Sequence, residues 1–333
     1  MDLAALPKVE LHSHLDCCLS YDAVGQIDPG TTRERYDRQF VAPARCGSLA
    51  DYLRYTLNHR AALQTERALR IAVRDAFAQM AADHVVYAEL RFAPLVHLEE
   101  GLTPDEVVGA VAEETVRQTQ ETGIEASIIL CTLRDFDTDA SLRTARLVER
   151  HAALGPVTAL DIAGDEATYP LDPHLPAFER VRQAGLGVTV HAGEAAGPAS
   201  VWEALDAVAT RRIGHGVRAV EDSDLVARLA EERIHLELCP SCNVQTGAVP
   251  AFDAHPVDQL RNAGVRVGIS TDTRGVSDIR LTQEYQRLHE TFGWTLADYA
   301  RVNRDALDAS FAPADVRARV GGLLDAAYSE VSS

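Results

Sequence analysis

Two histidines separated by one residue, His12 and His14, lie in a short stretch of alternating apolar and polar side chains near the start of the sequence. A β-strand sends residues i and i+2 to the same face, so the two imidazoles would point the same way, about 7 Å apart along the strand. Such a pair can bind a transition metal through its ring nitrogens. A pair of exposed or hydrogen-bonded histidines without a metal is an equally good interpretation, so further ligands must decide.

Two more candidate ligands, His191 and Asp272, lie at the ends of apolar stretches far downstream. Together with His12 and His14 they supply three imidazoles and one carboxylate. This set suits Zn²⁺ or another first-row divalent ion and leaves a position for water. Each residue alone has a weak claim, because a buried histidine is usually a hydrogen-bonded core group. Their joint occurrence at strand ends favours a metal site.

Glu194 and His215, which also lie at the ends of apolar stretches, are predicted to move protons. A metal lowers the pKa of its water to about 7, which makes hydroxide available at neutral pH. The reaction still needs one group to take or steer the water proton and another to protonate the substrate. We assign His215 to the first role and Glu194 to the second. From the residues alone, His215 as a further ligand stays open.

The elements that must position these residues alternate between strands and helices. Helical patterns such as 103–122, 140–154 and 222–232 separate eight short apolar or β-rich segments. This alternation predicts an α/β protein with a closed TIM-type (β/α)8 barrel, whose catalytic groups lie at the C-terminal strand ends. An open doubly wound sheet is the alternative, but no Gly-x-Gly-x-x-Gly follows the first strand. The predicted strands are 9–14, 85–92, 125–131, 157–163, 187–191, 212–215, 234–238 and 265–270.

The segment 17–84 is a predicted helical insertion between the first two strands of a single barrel domain that spans 1–333. Its later part, 49–80, has helical patterns. Its earlier part, 25–47, is rich in Pro, Gly, Arg and Asp, and is predicted to be irregular. Loops that follow strands surround the active face of a barrel, so the insertion is a candidate lid, with a purely structural cap as the alternative.

The composition narrows the class of protein. With 32 basic and 50 acidic residues, the chain has a net charge of −18, which disfavours nucleic acid and anionic membranes as partners and favours a small-molecule substrate. No run of 18 apolar residues and no signal pattern is present, which predicts a cytoplasmic protein. The oligomeric state stays open.

The six cysteines are scattered, and the Cys-x-x-Cys pair Cys239 and Cys242 has no second pair to complete a zinc knuckle.

Lys8 is the only lysine in the chain, and it lies at the predicted entrance of the first strand. No other lysine is available for a Schiff base or for a carbamate that bridges two metals. This disfavours a lysine-dependent aldolase and a two-metal site bridged by a lysine carbamate.

Seven motifs resemble, in order, those of the adenosine deaminase family of the amidohydrolase superfamily. They are PKVELHSHLD at 7–16, DIAGDE at 161–166, HAGE at 191–194, RIGHG at 212–216, CPSCNVQTGA at 239–248, STD at 270–272 and LTQEY at 281–285. The resemblance implies a (β/α)8 barrel with one catalytic Zn²⁺ on the four ligands named above. It also implies a metal-dependent hydrolase that deaminates a 6-aminopurine nucleoside, adenosine or 2′-deoxyadenosine. Hydroxide would attack C6 with help from His215, Glu194 would deliver a proton to N1, and ammonia would leave.

The resemblance also implies contacts to the substrate. The backbone of Gly164 would hydrogen-bond the purine edge, and Asp16 would face the ribose. The family usually has a second aspartate after the eighth strand, which contacts purine N7, whereas this chain has Thr273. A threonine hydroxyl can donate to N7 but carries no charge.

Three further departures fall on positions that face the substrate. Cys17 and Cys18 replace the usual Gly and small residue after Leu-Asp, and we interpret them as pocket lining, with a thiolate on the metal as the alternative. Arg274 replaces a usual proline, and either meets an anionic group on a larger nucleoside or faces solvent. Adenine, a modified adenine nucleoside or another amino-heterocycle therefore remains an alternative substrate. An inactive nucleoside-binding relative is disfavoured, because the proposed ligands, acid and base are all present.

Overall fold

The computed structural model describes residues 2–330, in which parallel strands close into a barrel. The barrel closes where His14 N donates to Asp272 O over 2.6 Å and Asp272 N donates to His12 O over 2.9 Å. Thr189 interrupts the fifth predicted strand, so nine strand segments in the described part form eight barrel strands. The predicted fold class is confirmed. The segments are β1 Lys8–His14, β2 Val85–Phe92, β3 Glu125–Leu133, β4 Val157–Ala163, β5 Gly187–Val188, β6 Val190–Ala192, β7 Arg212–His215, β8 His235–Leu238 and β9 Arg266–Ile269.

Helices surround the barrel, and local sequence signals set their ends. Thr103 caps the predicted helix 103–122 in a capping box with Glu106, and Gly123 ends that helix in the left-handed conformation. No helix within residues 2–330 combines the length and apolar character that a membrane crossing requires. The helices are α1 Tyr21–Ile27, α2 Arg33–Gln39, α3 Leu49–Ala62, α4 Glu66–Ala82, α5 Pro104–Thr122, α6 Thr138–Ala152, α7 Leu175–Gln183, α8 Pro198–Glu203, α9 Ser223–Glu231, α10 Pro240–Gln245, α11 Val257–Asn262, α12 Arg274–Ser277, α13 Leu281–Phe292, α14 Leu296–Ala309 and α15 Ala314–Glu330.

The insertion is more helical than its sequence predicts. The expected helices over 49–80 are present as α3 and α4. The expectation that 25–47 is irregular is wrong, because this stretch contains α2, whose N-cap Thr32 accepts a hydrogen bond from Arg35 N over 3.2 Å. The apolar contact of α2 rests on Tyr36, which stacks on Phe40 and donates to Leu19 O over 2.8 Å. One aromatic face among many charges is too weak a periodic signal to indicate a helix.

Lys8 lies at the entrance of β1, at the opposite end of that strand from His12 and His14. Its ammonium is buried and donates to Leu6 O over 2.8 Å and to Asp83 O over 2.7 Å. The single lysine therefore lies at the N-terminal end of the barrel strands, remote from the C-terminal strand ends where catalytic groups are expected.

Candidate metal centre and active site

Four candidate ligands meet where the barrel strands end. His12 and His14 lie at the end of β1, His191 lies in β6, and Asp272 follows β9. One ligand atom from each residue can be chosen so that all four atoms lie within 4.8 Å of one another. The structure thus brings together the four residues that the sequence selected as ligands.

The spacing of the donor atoms fits a small divalent ion. His14 Nε2 lies 3.1 Å from His191 Nε2, and Asp272 Oδ1 lies 3.4 Å from Nε2 of both His12 and His14. Bonds of about 2.0–2.2 Å with angles of about 90–110° between them put neighbouring donors roughly 2.8–3.6 Å apart. The buried Nε2 of His12 makes no hydrogen bond to the described residues. Its lone pair is therefore free for a metal.

Two buried carboxylates orient the imidazoles of His12 and His191. Glu237 Oε2 lies 2.8 Å from His12 Nδ1, and Asp161 Oδ1 lies 3.1 Å from His191 Nδ1. A carboxylate on Nδ1 fixes the proton there and directs Nε2 toward the metal site. Sequence reasoning missed both roles. The available signal was an acid inside an otherwise apolar strand, since a buried charge requires a partner.

Arg91 joins these two carboxylates. Its guanidinium donates to Asp161 Oδ2 and to Glu237 Oε2, each over 2.6 Å. Burial alone would raise the pKa of Asp161, but His191 and Arg91 hold it below its usual value. Burial acts the same way on Glu237, and Arg91 and Arg212 hold its pKa well below the usual value. Both carboxylates therefore stay charged.

Glu194 is the group in the site best placed to act as an acid. Burial and the nearby charge of Asp272 raise the pKa of Glu194 to about 8. Thr246 donates to Glu194 Oε1 over 2.9 Å, and the amide of Asn243 lies 3.4 Å from the same oxygen. These donors occupy Oε1, so the proton of the neutral acid is held on Oε2.

His215 faces Glu194 across the pocket, with its Nε2 3.6 Å from Glu194 Oε2. Burial, followed by the neighbouring imidazole of His12, lowers the pKa of His215 well below its usual value. The amide of Asn243 lies between His255 Nε2 at 3.3 Å and His215 Nδ1 at 3.1 Å. If Asn243 accepts from His255 and donates to His215, the proton of His215 is on Nε2, the nitrogen that faces Glu194.

The backbone is strained at two of these residues. His215 has φ +62° and Asp272 has φ +63°, in the left-handed region that side chains other than glycine rarely adopt. Such a conformation costs about 1–3 kcal/mol per residue and persists only where the surroundings enforce it. Both residues lie at or just after the end of a barrel strand, where the backbone enters the site.

Glu166 holds the loop that carries Glu194, a role that sequence reasoning missed. Its carboxylate accepts from four consecutive backbone N–H groups, those of Gly193 at 2.6 Å, Glu194 at 3.0 Å, Ala195 at 2.7 Å and Ala196 at 3.1 Å. Charge-assisted hydrogen bonds of this kind are strong. They fix the position of the acid relative to the ligands.

A cavity of about 240 Å³ adjoins the candidate ligands, and α3 of the insertion forms one of its walls. The predicted substrate residues Asp16, Cys17, Gly164 and Thr273 all line this cavity. Asp16 Oδ2 accepts from Ala93 N over 3.1 Å. Burial alone would raise the pKa of Asp16, but nearby groups, led by His97 with its Nε2 3.7 Å from Asp16 Oδ2, lower it to about 2. Asp16 is therefore a charged acceptor in the pocket.

Thr273 connects the strand ends to α3. Its hydroxyl is hydrogen-bonded to the hydroxyl of Tyr52 and lies 3.2 Å from Ser277 Oγ. Tyr52 also contacts Ser277 Oγ at 2.6 Å. A residue of the insertion therefore orients the side chain that replaces the family's second aspartate.

Both sequence interpretations of Arg274 are wrong. The side chain neither lines the cavity nor faces solvent, because it is buried and donates to Glu10 Oε2 and Asp83 Oδ2, each over 2.6 Å. These two carboxylates are themselves buried, and a cation between them removes the cost of leaving them unpaired.

The cysteines separate into different environments. Cys17 lines the cavity as predicted, and burial raises the pKa of its thiol well above the usual value. Cys18 does not line the cavity, contrary to prediction, because its Sγ turns back to His14 O at 2.6 Å. Cys242 contacts the candidate ligand Asp272, with Sγ 2.8 Å from Oδ2. Its neutral thiol can hold the carboxylate oxygen that does not face the other ligands.

Comparisons with known proteins agree with this geometry. The family model described as adenosine deaminase matches residues 7–327. Adenosine deaminase 1 of Streptomyces coelicolor is 37% identical over 352 residues, which cover 98% of this chain and 88% of that protein. Adenosine deaminase of Mycobacterium marinum is 38% identical, with 94% of this chain and 92% of that protein covered.

Solved structures share the fold. The adenine deaminase from Arthrobacter aurescens superposes with a TM-score of 0.87 at 26% identity, covering 99% of this chain and 100% of that one. An amidohydrolase from Burkholderia ambifaria, solved with bound Zn, gives a TM-score of 0.89 at 22% identity, covering 99% of this chain and 92% of that one.

Proposed function

The chain belongs to the adenosine deaminase family, and we propose that it hydrolyses the 6-amino group of adenosine or 2′-deoxyadenosine to give the 6-oxo nucleoside and ammonia. The family makes it a hydrolase that acts on C–N bonds in cyclic amidines. The observation that carries the proposal is the convergence of three imidazoles and Asp272 beside Glu194, a buried acid, in one cavity. Relatives at 37–38% identity are named adenosine deaminases, which makes free adenine the less favoured substrate.

His12, His14, His191 and Asp272 would hold one divalent ion, and the nitrogen-rich donor set favours Zn²⁺. When bound, this ion supplies a nucleophile at neutral pH by lowering the pKa of a water molecule. Asp161 and Glu237 keep the ring protons of His191 and His12 on Nδ1, so that Nε2 stays available to the metal.

Glu194 and His215 would move the protons of the reaction. Glu194 is protonated at neutral pH because its pKa is about 8, and its Oε2 delivers the proton to N1 of the purine. Protonation of N1 makes C6 more electrophilic. His215 donates from Nε2 to the attacking oxygen and orients it toward C6. The proton of the hydroxyl that has added to C6 then passes to the amino group, which leaves as ammonia, and the oxygen stays on C6 as the 6-oxo group.

The remaining groups would position the nucleoside. Gly164 has φ +105°, which residues with a side chain rarely adopt, and a Cβ there would lie 3.3 Å from Arg134 N, so glycine is needed for the turn whose backbone would meet the purine edge. Asp16 would accept from the ribose, Thr273 would donate to N7, and Cys17 would contact the sugar from beside Asp16.

We propose that residues 1–333 act as one catalytic domain and that the insertion 17–84 is its lid, because α3 forms a wall of the cavity. The net charge of −18 fits an enzyme that takes up a small aminopurine in the cytoplasm and does not bind nucleic acid or an anionic membrane.

Ammonia release by the zinc-loaded protein tests the proposal. Adenosine, 2′-deoxyadenosine, adenine and 5′-substituted adenosines should be compared at equal concentration, and we expect turnover of nucleosides with the 6-oxo product. Release from adenine alone would change the substrate class to the free base. No release from any nucleoside by protein with bound metal would contradict the proposed reaction.

A further inference from the structure

The residues of α3 that line the cavity change from apolar to charged along the helix. Its cavity-facing residues recur at helical spacing, as expected for one helix face. The face begins with leucines and Tyr52 and ends, at the outer side, in Leu57 and the half-buried Arg60. The full set is Leu49, Tyr52, Leu53, Thr56, Leu57 and Arg60.

The guanidinium of Arg60 makes no ion pair or hydrogen bond within residues 2–330, although it is the one arginine of that range that lines this cavity. Arg54, on the same helix, instead pairs with Asp51 at 3.5 Å and faces solvent. Asp16 is engaged by Ala93 N and His97, and the exposed Asp135 does not reach Arg60. A half-buried arginine without a partner at a substrate cavity is a ready site for an anion.

Two exposed apolar side chains line the same cavity as this cation. Leu57 is 54% exposed and Tyr169 is 41% exposed, and both line the cavity. They are two of the five large apolar side chains that are exposed in the described part of the chain. Apolar groups that gather at a cavity rim indicate a binding surface. We call Leu57, Arg60 and Tyr169 the mouth.

The mouth lies on the sugar side of the site. Helix α3, which carries Arg60, packs against the turn Leu15–Cys17 that contains Asp16, and Arg60 and Asp16 line the same cavity. Under the proposed function, Asp16 faces the ribose. A substituent on the 5′ carbon would therefore leave the cavity toward Leu57 and Arg60.

We propose that Arg60 makes the enzyme select a 6-aminopurine nucleoside whose 5′ carbon carries an apolar extension that ends in an anionic group. The extension packs on Leu57 and Tyr169, and its anion pairs with Arg60. This inference rests on the deaminase function proposed above and specifies its substrate class.

The test uses four compounds with the zinc-loaded full chain: 5′-S-(4-carboxybenzyl)-5′-thioadenosine, its carboxamide counterpart, AMP and adenosine. We expect kcat/KM for the carboxylate to exceed that for the carboxamide by about tenfold, the lower range for a charge-assisted hydrogen bond. Arg60→Gln should bring this ratio close to one, Arg60→Lys should keep part of it, and Arg54→Gln on the same helix should leave it unchanged.

A ratio near one in the unmodified enzyme, or a ratio that survives Arg60→Gln, would overturn the inference. Preference for AMP over the carboxylate would overturn the apolar extension. Calorimetric binding of the matching thioinosine carboxylate and carboxamide keeps the test independent of turnover. Should no compound be deaminated, a tenfold tighter carboxylate that loses this advantage in Arg60→Gln still supports the Arg60 site, whereas equal binding contradicts it.

Discussion

The inner end of the cavity and its mouth differ in whether their charged groups have partners within the protein. We call His12, His191, Asp161, Glu237 and Arg91 the floor. In the floor every charge is buried and has a partner within the protein, such as the two 2.6 Å contacts of Arg91. At the mouth, by contrast, a cation has no partner among residues 2–330 and apolar groups remain exposed.

The difference follows from the cost of burying charge. An uncompensated charge deep in a protein costs several kcal/mol, so the floor must be complete before any substrate arrives. Solvent satisfies a half-exposed group, so the mouth can leave its partner to the substrate. The floor is therefore suited to fix the reaction, and the mouth is suited to select what is deaminated.

The largest effect is expected from removing a ligand. Asp272→Ala leaves three imidazoles without a carboxylate, and we expect loss of bound metal together with loss of ammonia release. Metal content by atomic emission and turnover should be measured on the same sample. Asp135→Ala, at the exposed rim, is the control and should keep its metal. Full metal occupancy and activity in Asp272→Ala would show that the ligand assignment is wrong.

The next largest effect separates chemistry from metal binding. Glu194→Gln retains the size of the side chain but cannot donate an acid proton, so we expect kcat to fall by about 10²–10⁴-fold with metal content near normal. Glu231→Gln, on the exposed face of α9, should behave as the unmodified enzyme. Unchanged kcat in Glu194→Gln would remove Glu194 from the mechanism.

Most of the barrel was predictable from the sequence, since alternating strands and helices and polar strand ends are local signals. His12 and His14 share a face because of strand periodicity alone. Arg91 and Glu166 were not predictable in this way, because their roles depend on partners that are distant in sequence. The helix α2 was missed because its one buried aromatic, Tyr36, lies among charges, and Arg274 was misread because the carboxylates that bind it belong to other elements.

The contribution of the floor to metal binding can be tested at Asp161, which contacts the candidate ligand His191. Asp161→Asn keeps an acceptor for His191 but removes the charge that faces Arg91, so we expect metal affinity to fall by about 10–100-fold. Competition with a chelator measures this affinity, and a thermal scan checks that the fold survives. Asp165→Asn, which lines the same cavity without contacting a ligand, is the matched control. Equal affinity in the two variants would mean that the charge of Asp161 does not support the metal.

The smallest effect is expected where the wall formed by α3 meets the strand ends. Tyr52 on α3 holds the hydroxyl of Thr273, so Tyr52→Phe frees that hydroxyl without altering the ligands. One neutral hydrogen bond contributes about 0.5–1.5 kcal/mol, so we expect KM for adenosine to rise by about two- to tenfold with kcat little changed. Steady-state kinetics beside Tyr55→Phe on the same helix separates this contact from a general effect on α3. A fall in kcat comparable to that of Glu194→Gln would mean that α3 also acts on the chemical step, and the division between selection and reaction would not hold.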